Sequence, residues 1–482
     1  MGQMAFFTPC FVKVDIPFIV DDVGLMKIII LGANQIGCSL AETLANESND
    51  ITIVDSNNEK LRELKDQIDV GTIVGQASHP DVLARAGGED ADMIIAVTEN
   101  DEINMVACRV AYSMFKTPKK ICRIRSSSYL VNDKLFGKHG ITVDDVISPE
   151  LIVSDYMARL IDLPGSLQVL DFAEGKVQLV AVKAFYGGPL VGQEIRLLRD
   201  HMPNIETRVA AIFRKDRPII PEGSTVIEAD DEVFFVAAQE NIRSCMGELR
   251  RLDKPYKRLI IAGGGNIGLR LAESIEDRYQ LKIIEHNPER CAYLSEHLDR
   301  AIILNGEASN QELLLEENIE DTDVFLALTN DDEANIMSSL LAKRLGAKKV
   351  MTIINNPAYV DLVQGGEIDI AISPQQATIG SLLTHVRRAD VVKVHSLRRG
   401  AAEAMEAIAH GDQASSRVVG KPIEDIDLPE GATIGAIVRN DKVLIAHDAT
   451  VVEPDDHVIL FLVDRRMIPK VERLFQVGFS FF

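Results

Sequence analysis

The chain repeats itself, and the repeat limits what it can fold into. GANQIG at 32–37 returns as GGGNIG at 263–268, and TENDEIN at 98–104 as TNDDEAN at 329–335, both 231 residues further on. ISPE at 147–150 returns as ISPQ at 372–375. AAIFRKDRPIIPEGSTVIEADDEVFFV at 210–236 resembles GAIVRNDKVLIAHDATVVEPDDHVILFL at 435–462; these last two matches lie 225 residues apart. Four matches in one order at a nearly constant offset mark a tandem duplication. A chain of 482 residues is too long for one core, and here it must be built from two equivalent units.

Each unit has two parts. The first alternates apolar runs with helical patterns: KIIILG, a helix over 35–46, DITIVD, a helix over 57–67, VGTIVG, DMIIAV and a helix over 100–115. Such alternation predicts a parallel sheet with helices on both faces, and runs such as IIIL, MIIAV, LIIAG and VFLALT suit strands buried on both sides. The second part, 165–250 and 391–475, carries alternating strands such as TRVAAIFR and EVFFVAA between Gly, Pro and Asp turns. The expected fold is α/β: tandem Rossmann-like, doubly wound parallel-sheet domains, each followed by a small α+β domain. The boundaries fall in turn-prone sequence, Leu163-Pro164-Gly165 and Asp253-Lys254-Pro255. They give an N-terminal extension at 1–25, Rossmann domains at 26–164 and 253–390, and α+β domains at 165–252 and 391–482. The first patterned element follows Met26, a candidate natural start.

Composition removes several function classes. With 51 Lys and Arg against 73 Asp and Glu, the net charge is −22, which repels nucleic acid and anionic lipid. No run reaches the ~18 uncharged apolar residues of a spanning helix. The apolar start at 5–20 carries Lys13, Asp15 and two prolines and lacks a basic leader, so it is not a signal peptide. Six cysteines form no CxxC pair and read as idle thiols of a reducing cytosol.

The chemistry concentrates in the glycine turns. A Gly-rich turn between strand and helix lets phosphate approach the backbone and offers it the unpaired N–H groups of the helix N-terminus. KIIILGANQIG and RLIIAGGGNIG each supply that context. An acidic residue closes the next strand, Asp55 in ITIVD and Glu285 in LKIIE, 18 and 17 residues after the last glycine. A carboxylate there accepts hydrogen bonds from ribose hydroxyls and repels a 2′-phosphate, favouring NAD or an adenosine nucleotide over NADP. In the first copy Asn34 replaces the second glycine, so a side chain stands where backbone meets pyrophosphate. Thr98-Glu99 and Thr329-Asn330 end the fourth strands at the ligand edge, where they can face ligand or cap the helices beginning near 100 and 331. Arg123 and Arg125 end the fifth strand of the first copy, and MTIINN in the second copy has no arginine, so the two sites are chemically unequal. The ten histidines form no triad or HExxH, with His385, His395, His410 and His447 placed at the surface or at interfaces; P-loop and nucleophile-elbow motifs are absent. Without an acid–base pair, the oxidoreductase alternative lacks the groups a dehydrogenase needs. The helices after Ser148 and Ser373 are apolar enough to cross into a partner domain.

GANQIG with Asp55, SHPDVLARAG at 78–87, TENDEINMVACRVAYSMF at 98–115, the second GGGNIG, TNDDEANIMSSLLAKRLGAKKV at 329–350 and the YVDLVQG…IDIAISPQQATI stretch at 359–379 resemble the TrkA family. The likeness runs from Met26 to near Phe475. It implies two RCK (KTN) nucleotide-binding domains, each with its C-terminal RCK module, in the cytosolic regulatory subunit of a bacterial potassium-uptake system. It further implies a homotetrameric ring, peripheral on the cytoplasmic side of the inner membrane beneath a TrkH/TrkG-type potassium-translocating subunit, with nucleotide binding gating potassium flux. The family's NAD contacts carry over to Gly32, Ala33, Asn34, Gln35, Ile36, Asp55, Thr98, Glu99 and Arg123. In the second copy they fall on Gly263, Gly264, Gly265, Asn266, Ile267 and Glu285. Gln35 and Asn266 stand where ATP-holding relatives often carry arginine, which ranks NAD+/NADH above ATP or ADP. A third reading is a ligand-binding transporter domain without gating function; only a flux assay separates it from a regulator.

Overall fold

The computed structural model describes residues 25–476 except 48, 131–132, 138–139, 216, 364–365, 388–390, 398–401 and 448. The N-terminal extension at 1–25 lies, apart from Leu25, outside the described residues. Six parallel strands form the first sheet: β1 Lys27–Leu31, β2 Asp50–Asp55, β3 Gly71–Val74, β4 Met93–Ala96, β5 Lys119–Arg123 and β6 Asp145–Ile147, in the order β3-β2-β1-β4-β5-β6. Five antiparallel strands follow: β7 Ser166–Phe172, β8 Val177–Lys183, β9 Thr207–Arg214, β10 Arg217–Ile219 and β11 Glu232–Ala238. The second repeat rebuilds both sheets. β12 Arg258–Ala262, β13 Gln280–Glu285, β14 Ile302–Asn305, β15 Val324–Ala327, β16 Lys349–Ile353 and β17 Ile370–Ile372 take the same parallel order. β18 Val391–Leu397, β19 Ala402–Ile408, β20 Ala432–Arg439, β21 Lys442–Ile445 and β22 His457–Leu462 repeat the antiparallel one. The fold class expected from the sequence is the fold observed.

The strand order reverses between β1 and β4, and again between β12 and β15. Strands on opposite sides of that point send their helices to opposite faces and leave a crevice at the carboxyl edge. The central strands bury both faces: Ile28, Ile29, Ile30 and Leu31 are all at most 2% exposed. Each antiparallel sheet is pinned by the same fork, in which Arg214 grips Asp231 through two 2.8 Å hydrogen bonds and Arg439 grips Asp456 at 2.8 and 2.7 Å. Both aspartates are buried, so the bidentate pairing satisfies charges that would otherwise be costly.

The two repeats are interlocked. The helix Pro149–Asp162 leaves the first parallel sheet and packs on the helix Asn266–Ile275 of the second repeat. The helix Pro374–Val386 makes the reciprocal crossing onto the helix Gln35–Ala45. One hydrophobic core therefore joins the first parallel sheet, through Leu40, Leu44 and Ile53, to Leu382, Met405, Leu460 and Phe475 of the second repeat. A second joins Val153, Met157 and Phe235 of the first repeat to Leu271, Leu294 and Ile353 of the second. A third lies between the two antiparallel sheets, where Phe172, Phe213 and Phe234 meet Leu397, Ala404 and Phe461. The crossing expected of these helices takes place within one chain.

Candidate functional site

Each crevice begins with a glycine in the left-handed region, Gly32 at φ 111° and Gly263 at φ 107°. A Cβ on Gly32 would lie 3.0 Å from the Thr98 backbone, and one on Gly263 would lie 2.9 Å from that of Leu328. The turn thus passes directly over the end of the neighbouring strand, and only glycine fits. The last glycines, Gly37 and Gly268, would place a Cβ 1.9 and 2.1 Å from the carbonyl oxygens of Gly32 and Gly263. These clashes fix the tight strand-to-helix turn that aims the helix N-terminus into the crevice.

The acidic residues then close the turns. Asp55 accepts from the Ala33 N–H at 2.7 Å and from the Asn57 N–H at 2.8 Å. Glu285 repeats this with the Gly264 and Asn287 N–H groups at 2.8 and 2.9 Å. Both oxygens of Asp55 and the Oε2 of Glu285 keep a lone pair beyond these bonds, the arrangement needed to receive ribose hydroxyls, while the Glu285 Oε1 also lies 3.0 Å from His286 Nδ1. Gly32, Asn34, Asp55, Thr98 and Glu99 line one cavity of about 380 Å³ with Lys60 and Gln76 at its sides, within the ~300–1,000 Å³ typical of small-molecule sites.

The copies differ in how the helix begins. Asn34 is the N-cap of the first helix: its side chain accepts from the Gly37 N–H at 3.0 Å and donates to the Val97 carbonyl. The side chain is thereby drawn down against the end of β4, and it occupies one of the N–H groups an anion would use. Gly265, its counterpart, provides no side-chain cap, and nothing lies within 4 Å of where its Cβ would be. The second turn keeps its donors and its space, as a bound pyrophosphate requires. Beside it the Arg290 guanidinium donates to the Gly264 carbonyl at 2.6 Å.

The other sequence-derived residues fall in several places. Ala33 and Ile36 are buried beneath the first turn, Asn266 is exposed, and Ile267 packs against the second core. Gln35 turns away from its own crevice and donates to the Asn355 carbonyl of the other repeat at 2.8 Å, while Gln375 donates to the Gln35 carbonyl at 3.1 Å. Arg123 ends β5 half-buried, and its Nε has no hydrogen-bond partner among the described residues. Burial and the neighbouring Arg125 hold its pKa below the usual arginine value, against the pull of Glu150, Asp101 and Glu99. Arg125 is paired with Glu150 at 3.1 Å. Ile353 stands in place of Arg123 in the second copy.

One expectation needs correction. Thr98 and Thr329 do not cap the helices; Asn100 and Asp331 do, accepting from the Ile103 and Ala334 N–H groups at 2.7 and 2.8 Å. The threonines instead bind Asn104 and Asn335. Each asparagine accepts from the threonine N–H at 2.9 Å and from its hydroxyl, and donates back to its carbonyl. Each also reaches the last residue of the next strand, Arg123 or Ile353. These fully buried asparagines hold the crevice edge in shape, and sequence reasoning passed them over. Their signal is an Asn six residues after the Thr in both TENDEIN and TNDDEAN. His395, expected at the surface or an interface, lies at the interface of the two antiparallel sheets, against Phe172 and the Asp171 carbonyl.

Among the described residues no group of His, Cys, Asp and Glu is placed to hold a metal ion, and no helix is long and apolar enough to cross a membrane. The TrkA-N domain family matches residues 28–149 and 259–374, and the TrkA-C domain family residues 179–247 and 413–476. The Trk system potassium uptake protein TrkA of Halomonas elongata is 66% identical over 95% of this chain and 100% of its own length. That of Vibrio alginolyticus is 62% identical over 94% and 99%. The GsuK RCK domain shares the fold at 18% identity, with a TM-score of 0.58 over 94% of this chain and 96% of that one. The GsuK channel does so at 17% identity, with a TM-score of 0.59 over 94% and 79%. Matched along almost its whole length by sequence and by fold, the chain belongs to the TrkA family.

Proposed function

We propose that the chain is the nucleotide-binding regulatory subunit of a Trk-type potassium uptake system, gating potassium transport in response to NAD+/NADH. One observation carries the reading: two strand–glycine–helix turns, each closed by a carboxylate, in a chain related throughout to potassium uptake proteins. It is not an enzyme; its relatives carry the name of an uptake protein, and the oxidoreductase alternative is not favoured. A GsuK channel of the same fold has been solved bound to NAD, which supports nucleotide binding; the ranking of NAD(H) ahead of ATP or ADP rests on Gln35 and Asn266. In this reading the chain divides at 164/165, 252/253 and 390/391. It assembles as a homotetramer on the cytoplasmic side of a TrkH/TrkG-type membrane subunit and does not bind nucleic acid. Gly32, Ala33, Asn34, Gln35, Ile36, Asp55, Thr98, Glu99 and Arg123 form the first nucleotide site. Gly263, Gly264, Gly265, Asn266, Ile267 and Glu285 form the second. A nucleotide shifts the assembly only as far as it prefers one conformation, typically ~1–3 kcal/mol of coupling.

Calorimetric titration with NAD+, NADH, ATP and ADP tests it on the wild type and on Asp55→Ala and Glu285→Ala. Each substitution should weaken one site by about tenfold or more and leave the other intact. Potassium flux through vesicles holding the membrane subunit should respond to nucleotide only when this chain is added. No nucleotide binding, or a flux indifferent to nucleotide, would overturn the reading.

A further inference from the structure

One large cavity among the described residues is not a glycine-turn crevice. It is a cleft of about 1560 Å³ between the first antiparallel sheet, the linker at 250–257, the second parallel sheet at the end opposite its crevice, and the helix Pro374–Val386. Its volume exceeds the ~300–1,000 Å³ of ordinary small-molecule sites. In a chain of net charge −22, its lining is unexpectedly basic: Arg159, Lys183, Arg250, Lys254, Lys257, Lys348, Lys349 and Lys393 outnumber Asp155, Glu232, Asp253, Asp323 and Asp369.

Most of those carboxylates are already engaged. Asp253 pairs with Arg250 at 2.9 Å, Asp323 with Lys348 at 2.7 Å and Asp369 with Lys343 at 2.7 Å. Asp369 also accepts from the Val350 N–H, and Asp323 from the Lys257 N–H. Burial pushes the Asp155 carboxyl above the usual range, against Arg159 and Arg270. Lys254, Lys257, Lys349 and Lys393 have no carboxylate partner among the described residues. Lys349 stands out, since the only hydrogen bond of its ammonium among the described residues is a long one of 3.3 Å to the Ser166 carbonyl. Burial, aided by Arg250 and Lys343, brings its pKa down to about 8, with Asp369 and Asp253 opposing. A half-buried ammonium short of partners is costly, and an anion would relieve it. Phe185, with the Arg250 guanidinium 4.9 Å above its ring, adds an aromatic wall.

We infer that this cleft is a second ligand site, distinct from the glycine-turn crevices, which takes a small multiply charged phosphate compound at its Lys349 end, with Lys254 and Lys257 at the mouth. The ligand would touch the first repeat's antiparallel domain and the second repeat's nucleotide-binding domain together, so its binding would bear on their relative position.

Inorganic pyrophosphate is the probe, titrated calorimetrically into the full chain at low salt. Lys349→Gln and the surface pair Lys254→Gln/Lys257→Gln should each weaken its binding about tenfold or more, whereas Asn34→Asp and Gly265→Asp, which set a carboxylate at the helix N-termini of the crevices, should leave this binding unchanged. The affinity should fall steeply with added salt. The surface pair guards against a folding defect in Lys349→Gln, since both its side chains are exposed. Absence of binding, binding indifferent to all three lysines, or binding abolished by the crevice variants alone would overturn the inference. The crevice variants also keep it separable from the nucleotide reading, because either site can fail without the other.

Discussion

At the scale of single residues, the two crevices show one architecture with different chemical finish. Asn34 caps its helix and ties the turn to β4, while Gly265 leaves the equivalent donors free. Asn34→Gly should therefore cost about 1 kcal/mol in urea unfolding, for the lost cap and the bond to Val97. Nucleotide affinity at the first crevice should hold or rise, since an N–H is released; a clear drop in calorimetry would mean that the side chain itself contacts the ligand. His395 supplies a pH-dependent test. Its ring meets Phe172 edge-on at 5.1 Å and its Nε2 lies 3.1 Å from the Asp171 carbonyl. Burial lowers its pKa to about 3, with Lys393 and Arg159 adding to the effect and the Asp171 carbonyl opposing it. The folded state keeps the ring neutral while the unfolded chain takes up a proton near the ordinary value of 6.5. The contribution is thus fully present above about pH 6.5 and is lost as pH falls toward 3. His395→Gln should flatten that part of the stability profile in denaturant titrations at successive pH values; an unchanged slope would show that other groups govern it.

At the scale of elements, the crossing helices tie packing to function. Met157 and Leu382 are fully buried, one from each crossing helix, and each lies in a core shared with the other repeat. Met157→Ala or Leu382→Ala should cost about 2–5 kcal/mol, measured by denaturation. Either should also disturb the crevice of the opposite repeat, whose phosphate-facing helix is the one it supports; an affinity change confined to the mutated repeat would contradict this. Much of this level was legible. The periodicity gave the helix observed at Gln35–Ala45 as 35–46 and the one at Asn58–Gln67 as 57–67. Asp55 and Glu285 could be read because a carboxylate at a strand end follows from a fixed spacing. The expected single helix at 100–115 instead ends as α-helix at Val110 and continues as a π-helix over Ala111–Phe115. The reason is one extra residue: 15 separate Asn104 from Lys119, against 14 from Asn335 to Lys349. Because the asparagine and the strand are both fixed, the surplus residue is taken up as one wide turn. The destination of the crossing helices was beyond reach, since an apolar stripe records that a face is covered and not by which neighbour.

At the scale of the whole molecule, the swapped cores mean that neither repeat owns a complete interior. Unfolding in urea, followed by far-ultraviolet circular dichroism and by hydrogen exchange in both parallel sheets, should give one coincident transition. Two separated transitions would show that the shared cores contribute little. The same arrangement accounts for what the sequence leaves unseen in the cleft at Lys349. Its walls come from segments near 159, 185, 250, 349 and 385, which no spacing rule connects and only the interlock brings together.

The interlock also bears on synthesis. As the chain leaves the ribosome, the first parallel sheet is finished by residue 147, yet the apolar flank formed by Leu40 and Leu44 is covered by the helix Pro374–Val386. For more than two hundred residues of elongation that flank must wait exposed, a long interval in which a nascent chain invites chaperones or aggregation. Fusing two repeats in one polypeptide guarantees the right partner on the same thread, at the cost of that delay.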